Sequence, residues 1–185
     1  MIDVEEILRN TQAIVHGHFE TGTGHHTDTR IQLVKALQYT WYTKEIGEEM
    51  ALRLHRFAPD CIVSPMTNGI IVGYEVARRL DVPFIFVERN EDSSMTFGHG
   101  LNPAIFRNII VVEGVVESGQ SVREVLRVLK AYDTEALAIA TVIKEIDDER
   151  MEGLPFLSLT KIKPNFYSPA ECPLCRDGVP LEKLS

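Results

Sequence analysis

The chain has few cysteines, no excess of basic residues and no long apolar run. Three cysteines among 185 residues do not make the disulfide framework of a small secreted domain. The formal net charge of -8 argues against the basic surface that nucleic acids or anionic membranes attract. No run approaches the roughly 20 apolar residues that span a bilayer, and the acidic first ten residues are unlike a signal peptide. We therefore expect a cytoplasmic protein that binds neither nucleic acid nor membrane.

The composition is that of a globular α/β protein. A hydrophobic content of 44% and a charged content of 25% fit one domain with a full core. Apolar runs predict strands over 61–64, 83–87, 109–112 and 136–143, and helical spacing predicts helices over 4–15, 44–57, 70–80 and 122–130. Because short apolar strands alternate with helices, we predict a parallel sheet with helices on both faces. In the helix over 70–80 we expect Ile70, Tyr74, Ala77 and Leu80 to face inward.

One strand–turn–helix unit organises the rest of the chain. The β-branched run 109–112 predicts a strand buried on both faces, and apolar residues from Val122 onward recur at helical spacing. The turn before that helix holds Glu117, Ser118, Gly119, Gln120 and Ser121. In a parallel sheet such a turn lies at the carboxyl edge, where backbone N–H groups and a positive helix end bind phosphate. The pattern therefore predicts a phosphate-binding turn.

A second unusual stretch, 16–32, contains four of the six histidines and three glycines. His16 and His18 would share one face of a strand, and His25 with His26 would complete a metal site. Against a metal, no acid or cysteine stands nearby at a familiar ligand spacing. We favour hydrogen bonding to a ligand, or local loop structure, for these histidines.

The C-terminal tail carries a single Cys-x-x-Cys, at Cys172 and Cys175. This pair is compatible with a plain turn, with a zinc site or with a disulfide. A tetrahedral zinc needs four ligands, so two more would come from a dimer mate or from the loop histidines. A redox pair would need a strand-to-helix context, whereas this tail is rich in proline.

Four stretches together resemble the type I phosphoribosyltransferases, and within them the orotate enzymes. His18-Phe19-Glu20, Thr23-Gly24 and His26-Thr27-Asp28 resemble the N-terminal base-binding segment. Residues 64–70 resemble the pyrophosphate loop, and 86–89 resemble the start of the mobile catalytic loop. Residues 109–121 resemble the phosphoribosyl pyrophosphate (PRPP) motif. With the tail, which is similar to that of a subset of the orotate enzymes, the likeness runs from about residue 16 to residue 180.

This resemblance implies a fold and a reaction. The expected fold is one domain over 1–185, with an α/β core at 41–154 and a hood and tail at 1–40 and 155–185. The expected reaction transfers phosphoribosyl from PRPP to a pyrimidine base and releases pyrophosphate. The family also implies a homodimer, a nucleobase or phosphoribosyl compound as ligand, and Mg²⁺ carried mostly by PRPP.

The resemblance also assigns roles to residues. Glu113 would orient the ribose, and the phosphate would be held by Gly114, Glu117, Ser118, Gly119, Gln120 and Ser121. Pyrophosphate would lie against Thr67, Asn68 and Gly69, while Arg89 and His99 would assist its departure. The base would contact Phe19, Thr23 and Gly24.

Several of these positions depart from the family pattern. Gly114 replaces the second acid of the ribose-binding pair, Glu117 replaces a threonine of the phosphate turn, and Gln120 replaces a glycine. Gly98-His99 stands where related loops have a basic pair, and Asn68 stands where a glycine is usual. Glu117 would bring a carboxylate near a bound 5′-phosphate. At about 4 Å, two like charges repel by roughly 4 kcal/mol when the effective dielectric constant is near 20. Three functions are therefore open. The first is an orotate-type transferase, and the second is a non-catalytic or repurposed member of the fold that binds a ligand or a protein partner or has a regulatory role. The third is a purely structural dimer subunit beside an active paralogue.

Overall fold

The computed structural model describes residues 2–66 and 68–183. The helices are α1 Val4–Asn10, α2 Val34–Leu37, α3 Thr40–Leu54, α4 Asn68–Leu80, α5 Gln120–Ala131 and α6 Pro173–Arg176. The strands are β1 Ile14–Glu20, β2 His26–Ile31, β3 Cys61–Pro65, β4 Phe84–Arg89, β5 Met95–Thr96, β6 Ile109–Val116, β7 Ala136–Lys144, β8 Arg150–Met151, β9 Leu154–Lys161, β10 Phe166–Tyr167 and β11 Glu182–Lys183. None of the described helices is long and apolar enough to cross a membrane.

The main sheet confirms the predicted α/β fold. Its seven described strands lie in the order β5-β4-β3-β6-β7-β9-β8. The five central strands are parallel, and the short strands β5 and β8 pair antiparallel with β4 and β9. One face is covered by a core to which α1, α3 and α4 contribute, and the other by a core to which α5 contributes. The carboxyl ends of β3, β4, β6 and β7 therefore meet at one edge of a sheet that is buried on both sides.

The inward face of α4 matches the prediction at Ala77 and Leu80, which belong to or pack on the core, and differs from it at Tyr74. Tyr74 is 58% exposed, whereas Val72, Val76 and Ala77 are buried against the sheet. The helix lies close to β3 because Gly73 has no side chain: a Cβ there would come within 2.1 Å of the Ser64 hydroxyl oxygen. A residue without a side chain therefore forms part of the contact, and a pattern that counts only large apolar residues misplaces Tyr74.

A second sheet, which we call the hood sheet, brings the two ends of the chain together. Its four described strands lie in the order β10-β2-β1-β11. Strands β1 and β2 form an antiparallel hairpin, and their register shifts between His16 and Phe19. The last strand, β11, adds parallel to β1. Residues 14–31 and 166–183 thus form one layer, which places the histidine-rich stretch beside the C-terminal tail.

Candidate functional site

The predicted strand–turn–helix unit is present at the carboxyl end of β6. The strand ends at Val116, and α5 begins at Gln120. Gly119 adopts a left-handed conformation with φ of +77°, and a Cβ on it would lie 2.4 Å from Cε of Met151. Glycine is therefore required at this turn both by its conformation and by the space available. The first N–H groups of α5 open toward the carboxyl edge of the sheet, as a phosphate-binding turn requires.

A cavity of about 300 Å³ lies against this turn, and we call it the turn cavity. Most of the residues predicted for PRPP and catalysis line it: Arg89, Glu113, Glu117, Ser118, Gly119, Gln120 and Ser121. Gly114 is buried within β6, where its carbonyl oxygen accepts a hydrogen bond from the Thr141 hydroxyl at 3.0 Å. His99 is not among the described residues that line the cavity, and its Nε2 lies 3.7 Å from Oε1 of Glu88.

Glu113 is the buried acid of the turn cavity, with 7% of its surface exposed. Burial raises the pKa of its carboxyl to about 7. The N–H of Gly114 donates a hydrogen bond to Oε1 of Glu113 at 2.8 Å, and this bond acts in the opposite direction, lowering the pKa. A Cβ at Gly69 would lie 3.1 Å from Oε1 of Glu113, so the start of α4 packs directly on this acid. The structure thus brings Gly69 of the predicted pyrophosphate loop to Glu113. Thr67 lies outside the described residues, as does the side chain of Asn68.

Two donor side chains that line the turn cavity, Arg89 and Gln120, are already engaged by one acid, Glu124. Arg89 donates to Oε2 of Glu124 and to the carbonyl oxygen of Ser93, both at 2.7 Å. The Gln120 amide donates to Oε1 of Glu124 at 3.1 Å. Hydrogen bonds from Gln120, and then from Arg89, lower the pKa of Glu124. An incoming anion would therefore compete with Glu124 for both donors.

A second cavity of about 400 Å³, the hood cavity, lies between the hood sheet and the carboxyl edge of the main sheet. Its lining includes Thr21, Thr27, Arg30, Glu117, Glu145 and Phe166. Burial, followed by the negative charge of Glu117, raises the pKa of Glu145 to about 7. Glu117 lines both cavities, so the acid that replaces a threonine of the phosphate turn also faces a second carboxyl.

The residues predicted to contact a base are only partly at the hood cavity. Phe19 is buried, and its ring lies 4.8 Å beneath the guanidinium carbon of Arg30, so it supports Arg30 from below. Thr23 lines an adjoining cavity of about 470 Å³ that also contains Glu117. Gly24 serves the β1–β2 turn, where its φ is +79°.

Sequence reasoning missed Arg30 and Glu145. Glu145 directly follows β7, and its N–H donates to the carbonyl oxygen of Val116 at 3.0 Å. Since β6 and β7 are parallel neighbours, residues just beyond their ends share one edge of the sheet. The predicted strands alone could therefore have indicated that Glu145 lies near the turn after β6. Arg30 carried no such signal, because its position depends on the hood hairpin.

The hood sheet also brings together four side chains that can ligate a metal. The ligand atoms of His18, His26, Cys172 and Cys175 all lie within 4.8 Å of one another. His16 and His25 lie elsewhere: Nδ1 of His16 is 3.1 Å from the Thr29 hydroxyl, and Nδ1 of His25 is 3.3 Å from that of Thr23. The two cysteines are free thiols.

The donors at the turn cavity suit magnesium less well than an acidic pair would. Mg²⁺ takes oxygen ligands and favours carboxylates. At the end of β6, Gly114 supplies no carboxyl, and burial keeps Glu113 partly protonated near neutral pH. A Mg²⁺–PRPP complex would therefore meet one partly protonated carboxyl where the family has an adjacent acidic pair, while Glu117 stands at the phosphate turn.

Comparison with known proteins gives consistent matches. A family model described as "Phosphoribosyl transferase domain" matches residues 43–174. The orotate phosphoribosyltransferase of Caldanaerobacter subterraneus subsp. tengcongensis is 36% identical over 97% of this chain and 94% of its own length. That of Thermotoga maritima is 34% identical over 97% of this chain and 96% of its own.

Solved structures agree on the fold. Orotate phosphoribosyltransferase from Aeropyrum pernix superimposes with a TM-score of 0.69 at 16% identity, covering 86% of this chain and 94% of that one. The Mycobacterium tuberculosis enzyme in complex with inorganic phosphate gives a TM-score of 0.66 at 18% identity, covering 85% and 93%.

Proposed function

Because the chain belongs to the phosphoribosyltransferase family and is orotate phosphoribosyltransferase-like over nearly its whole length, we propose that it is a repurposed member of that family. It binds a neutral or cationic, hydroxylated compound of the nucleobase or nucleoside class at the turn and hood cavities. It does not transfer phosphoribosyl from PRPP at the rate of a metabolic enzyme.

The observation that carries this proposal is the position of Glu117. It lines the turn cavity, where a phosphate would bind, and it also lines the hood cavity, where burial and then the charge of Glu117 raise the pKa of Glu145. A 5′-phosphate at this turn would be repelled by Glu117, at a cost between about 1 and about 4 kcal/mol at 4 Å, depending on how far solvent screens the pair. The N-terminus of α5 offers an anion a comparable stabilisation.

The arrangement of the donors acts in the same direction. In a transferase, preorganised positive charge at the departing pyrophosphate is the expected main catalytic contribution. Arg89 instead forms an ion pair with Glu124 at 2.7 Å, and His99 lies beside Glu88. A ligand without several negative charges avoids both the repulsion by Glu117 and the competition with Glu124.

A second candidate is the PRPP-dependent transfer to orotate itself. It is favoured by the glycine turn at Gly119 and by the 34–36% identity to proteins named orotate phosphoribosyltransferase. Under this candidate Glu113 would orient the ribose, while Ser118 and Ser121 would hold the 5′-phosphate.

An activity assay separates the two candidates. The purified protein is incubated with orotate, PRPP and Mg²⁺, and both orotate consumption and pyrophosphate release are followed. The Thermotoga maritima relative serves as the positive control. We expect neither signal above the protein-free blank; turnover comparable to that of the control would overturn the proposal in favour of the transferase.

A further inference from the structure

Four potential metal ligands converge from three separate parts of the chain. His18 lies on β1 and His26 lies on β2. Cys172 directly precedes α6 in the C-terminal tail, and Cys175 lies within this short helix. Nε2 of His18 lies 2.9 Å from Nδ1 of His26, 3.4 Å from Sγ of Cys172 and 3.7 Å from Sγ of Cys175. Sγ of Cys175 lies 3.3 Å from Nδ1 of His26.

These separations are close to those of one tetrahedral metal site. With bonds of about 2.3 Å to sulfur and about 2.05 Å to nitrogen, an ideal zinc tetrahedron spaces two nitrogens by about 3.3 Å and a nitrogen from a sulfur by about 3.6 Å. Three of the four nitrogen–sulfur distances lie between 3.3 and 3.7 Å, and all four ligand atoms lie within 4.8 Å of one another. A metal at the centre would need to push the two ring nitrogens apart by a few tenths of an ångström.

The backbone explains why these histidines converge and their neighbours do not. Side chains alternate across a strand, so His18 shares a face with Glu20, the residue that pairs with His26. The register shift between His16 and Phe19 removes His16 from that face.

The surroundings of the cluster resemble those of a structural site. His18, His26 and Cys172 expose 2%, 6% and 1% of their surfaces. Nδ1 of His18 lies 2.8 Å from the carbonyl oxygen of Val179. That carbonyl can only accept a hydrogen bond, so Nδ1 carries the proton and Nε2 presents its lone pair to the thiols. An outer partner of this kind typically orients a metal-bound histidine.

The tail is folded so that both thiols point to one side. The N–H of Arg176 donates to the carbonyl oxygen of Cys172 at 3.3 Å, and that of Gly178 donates to the carbonyl oxygen of Cys175 at 3.2 Å. Gly178 has a φ of +68°, which lets the chain turn back toward His18 at Val179.

We propose that His18, His26, Cys172 and Cys175 bind one Zn²⁺ in a closed, structural Cys₂His₂ site that fastens the C-terminal tail to the hood hairpin. Two thiolates and two imidazoles in a tetrahedron favour zinc over magnesium or calcium. Because the protein supplies all four ligands, the ion has no open position for substrate.

The site would also order one wall of the hood cavity. Phe19 and Thr27 are the neighbours of His18 and His26 on the opposite face of the hairpin, and they pair with each other across it. Phe19 supports Arg30, and Thr27 lines the cavity directly. The zinc proposal is independent of which ligand that cavity binds.

Metal analysis of the purified full-length protein tests the proposal. We expect about one zinc per chain by inductively coupled plasma mass spectrometry, as one closed site requires. The variants Cys175→Ser and His26→Gln should lose it. The matched controls Cys61→Ala, at a buried thiol of β3, and His25→Gln, at the exposed neighbour of His26, should keep it. Zinc retained by Cys175→Ser and His26→Gln, or iron in place of zinc in the wild type, would overturn the assignment.

Measurements on the wild type keep the test valid if a variant does not fold. Chelation should lower the melting temperature and make two further thiols reactive toward a thiol reagent, and added Zn²⁺ should reverse both effects. Co²⁺ in place of Zn²⁺ should give thiolate-to-metal charge transfer and the visible bands of a tetrahedral site. A wild type that contains no zinc, takes up no Co²⁺ with these bands and keeps its melting temperature in chelator would contradict the proposal.

Discussion

At the scale of single residues, three carboxyl groups line the two cavities, and burial raises the pKa of two of them, Glu113 and Glu145. Glu113 is buried beneath the turn, and Glu117 and Glu145 face each other beyond it. The sequence indicated Glu113 and Glu117 because both lie in one recognisable motif. It did not indicate Glu145, whose position follows from the pairing of β6 with β7 rather than from any local pattern.

The raised pKa of Glu113 predicts a pH-dependent stability. The folded chain holds this proton up to about pH 7, whereas the ordinary value is 4.5. Stability from this group is therefore fully present below about pH 4.5 and is lost as the pH rises through about 7. Glu113→Gln keeps an oxygen for the N–H of Gly114 and removes the ionisation. It should raise stability at pH 8 by up to roughly 3 kcal/mol, at about 1.4 kcal/mol per pH unit, and change it little at pH 5.

Thermal unfolding of the wild type and Glu113→Gln at both pH values checks this expectation. The Glu135→Gln variant, at the opposite edge of the sheet just before β7, controls for the change in net charge. An equal effect of Glu113→Gln at pH 5 and pH 8 would mean that the ionisation of Glu113 is not the cause.

The electrostatic repulsion between Glu117 and Glu145 leads to a second prediction. The negative charge of Glu117 is the second cause, after burial, of the raised pKa of Glu145. Glu117→Gln should therefore lower the pKa of Glu145 and leave it above its ordinary value, since burial persists. Carbon-13 NMR titration of the glutamate carboxyls measures the shift. A pKa of Glu145 that does not respond to Glu117→Gln would place the two groups too far apart to interact.

At the scale of elements, the central strands and helices follow from hydrophobic patterning, while the contacts between them do not. The apolar runs predicted β3, β4, β6 and β7 because parallel strands that are buried on both faces consist of nearly continuous apolar residues. The face of α4 was predicted correctly at Ala77 and wrongly at Tyr74, which is exposed, while Gly73 lies against β3. Local patterns indicated the loop histidines and the two cysteines of the metal-ligand cluster. They did not indicate which histidines converge, because that depends on a register shift in β1 and on a tail more than 140 residues away.

The approach of α4 to β3 can be tested at Gly73. In Gly73→Ala the new Cβ would meet the Ser64 hydroxyl at 2.1 Å and a ring carbon of Phe84 at 2.8 Å. Despite the better helix propensity of alanine, we expect a net loss of about 1–3 kcal/mol in the free energy of unfolding, measured in urea.

Ser64→Ala provides the matched partner for a double-mutant cycle. The Ser64 hydroxyl is buried and has no hydrogen-bond partner among the described residues, so its removal alone should cost little or stabilise the fold. In the double variant part of the loss at Gly73 should be recovered, because the closest contact is gone. Strictly additive effects would show that the Ser64 hydroxyl does not limit the packing of α4.

At the scale of the whole molecule, a phosphoribosyltransferase fold is combined with an acidic cavity system. The parallel sheet, the glycine turn and α5 are in the arrangement that binds phosphate in such folds. The charges around that turn act against the binding of an anion, since Glu117 is close and Arg89 is paired with Glu124. The fold could be predicted from the sequence, whereas the pairing of Arg89 depends on the hairpin that carries it.

Restoring the family's residues at the turn should restore binding of the family's substrate. Gly114→Asp, Glu117→Thr and Gln120→Gly together return the acidic pair, remove the opposing carboxylate and free the backbone to approach a phosphate. We expect PRPP affinity to rise by at least about fivefold, the effect of about 1 kcal/mol at the solvent-screened limit. Glu135→Gln, which changes only net charge away from the site, should have no effect.

The most direct measurement is a calorimetric titration of the wild-type protein with PRPP in the presence of Mg²⁺. We expect no binding at micromolar PRPP by the wild type, and measurable binding by the triple variant. Micromolar binding by the wild type would contradict this expectation, because Glu117 would then not prevent a phosphate from occupying the turn.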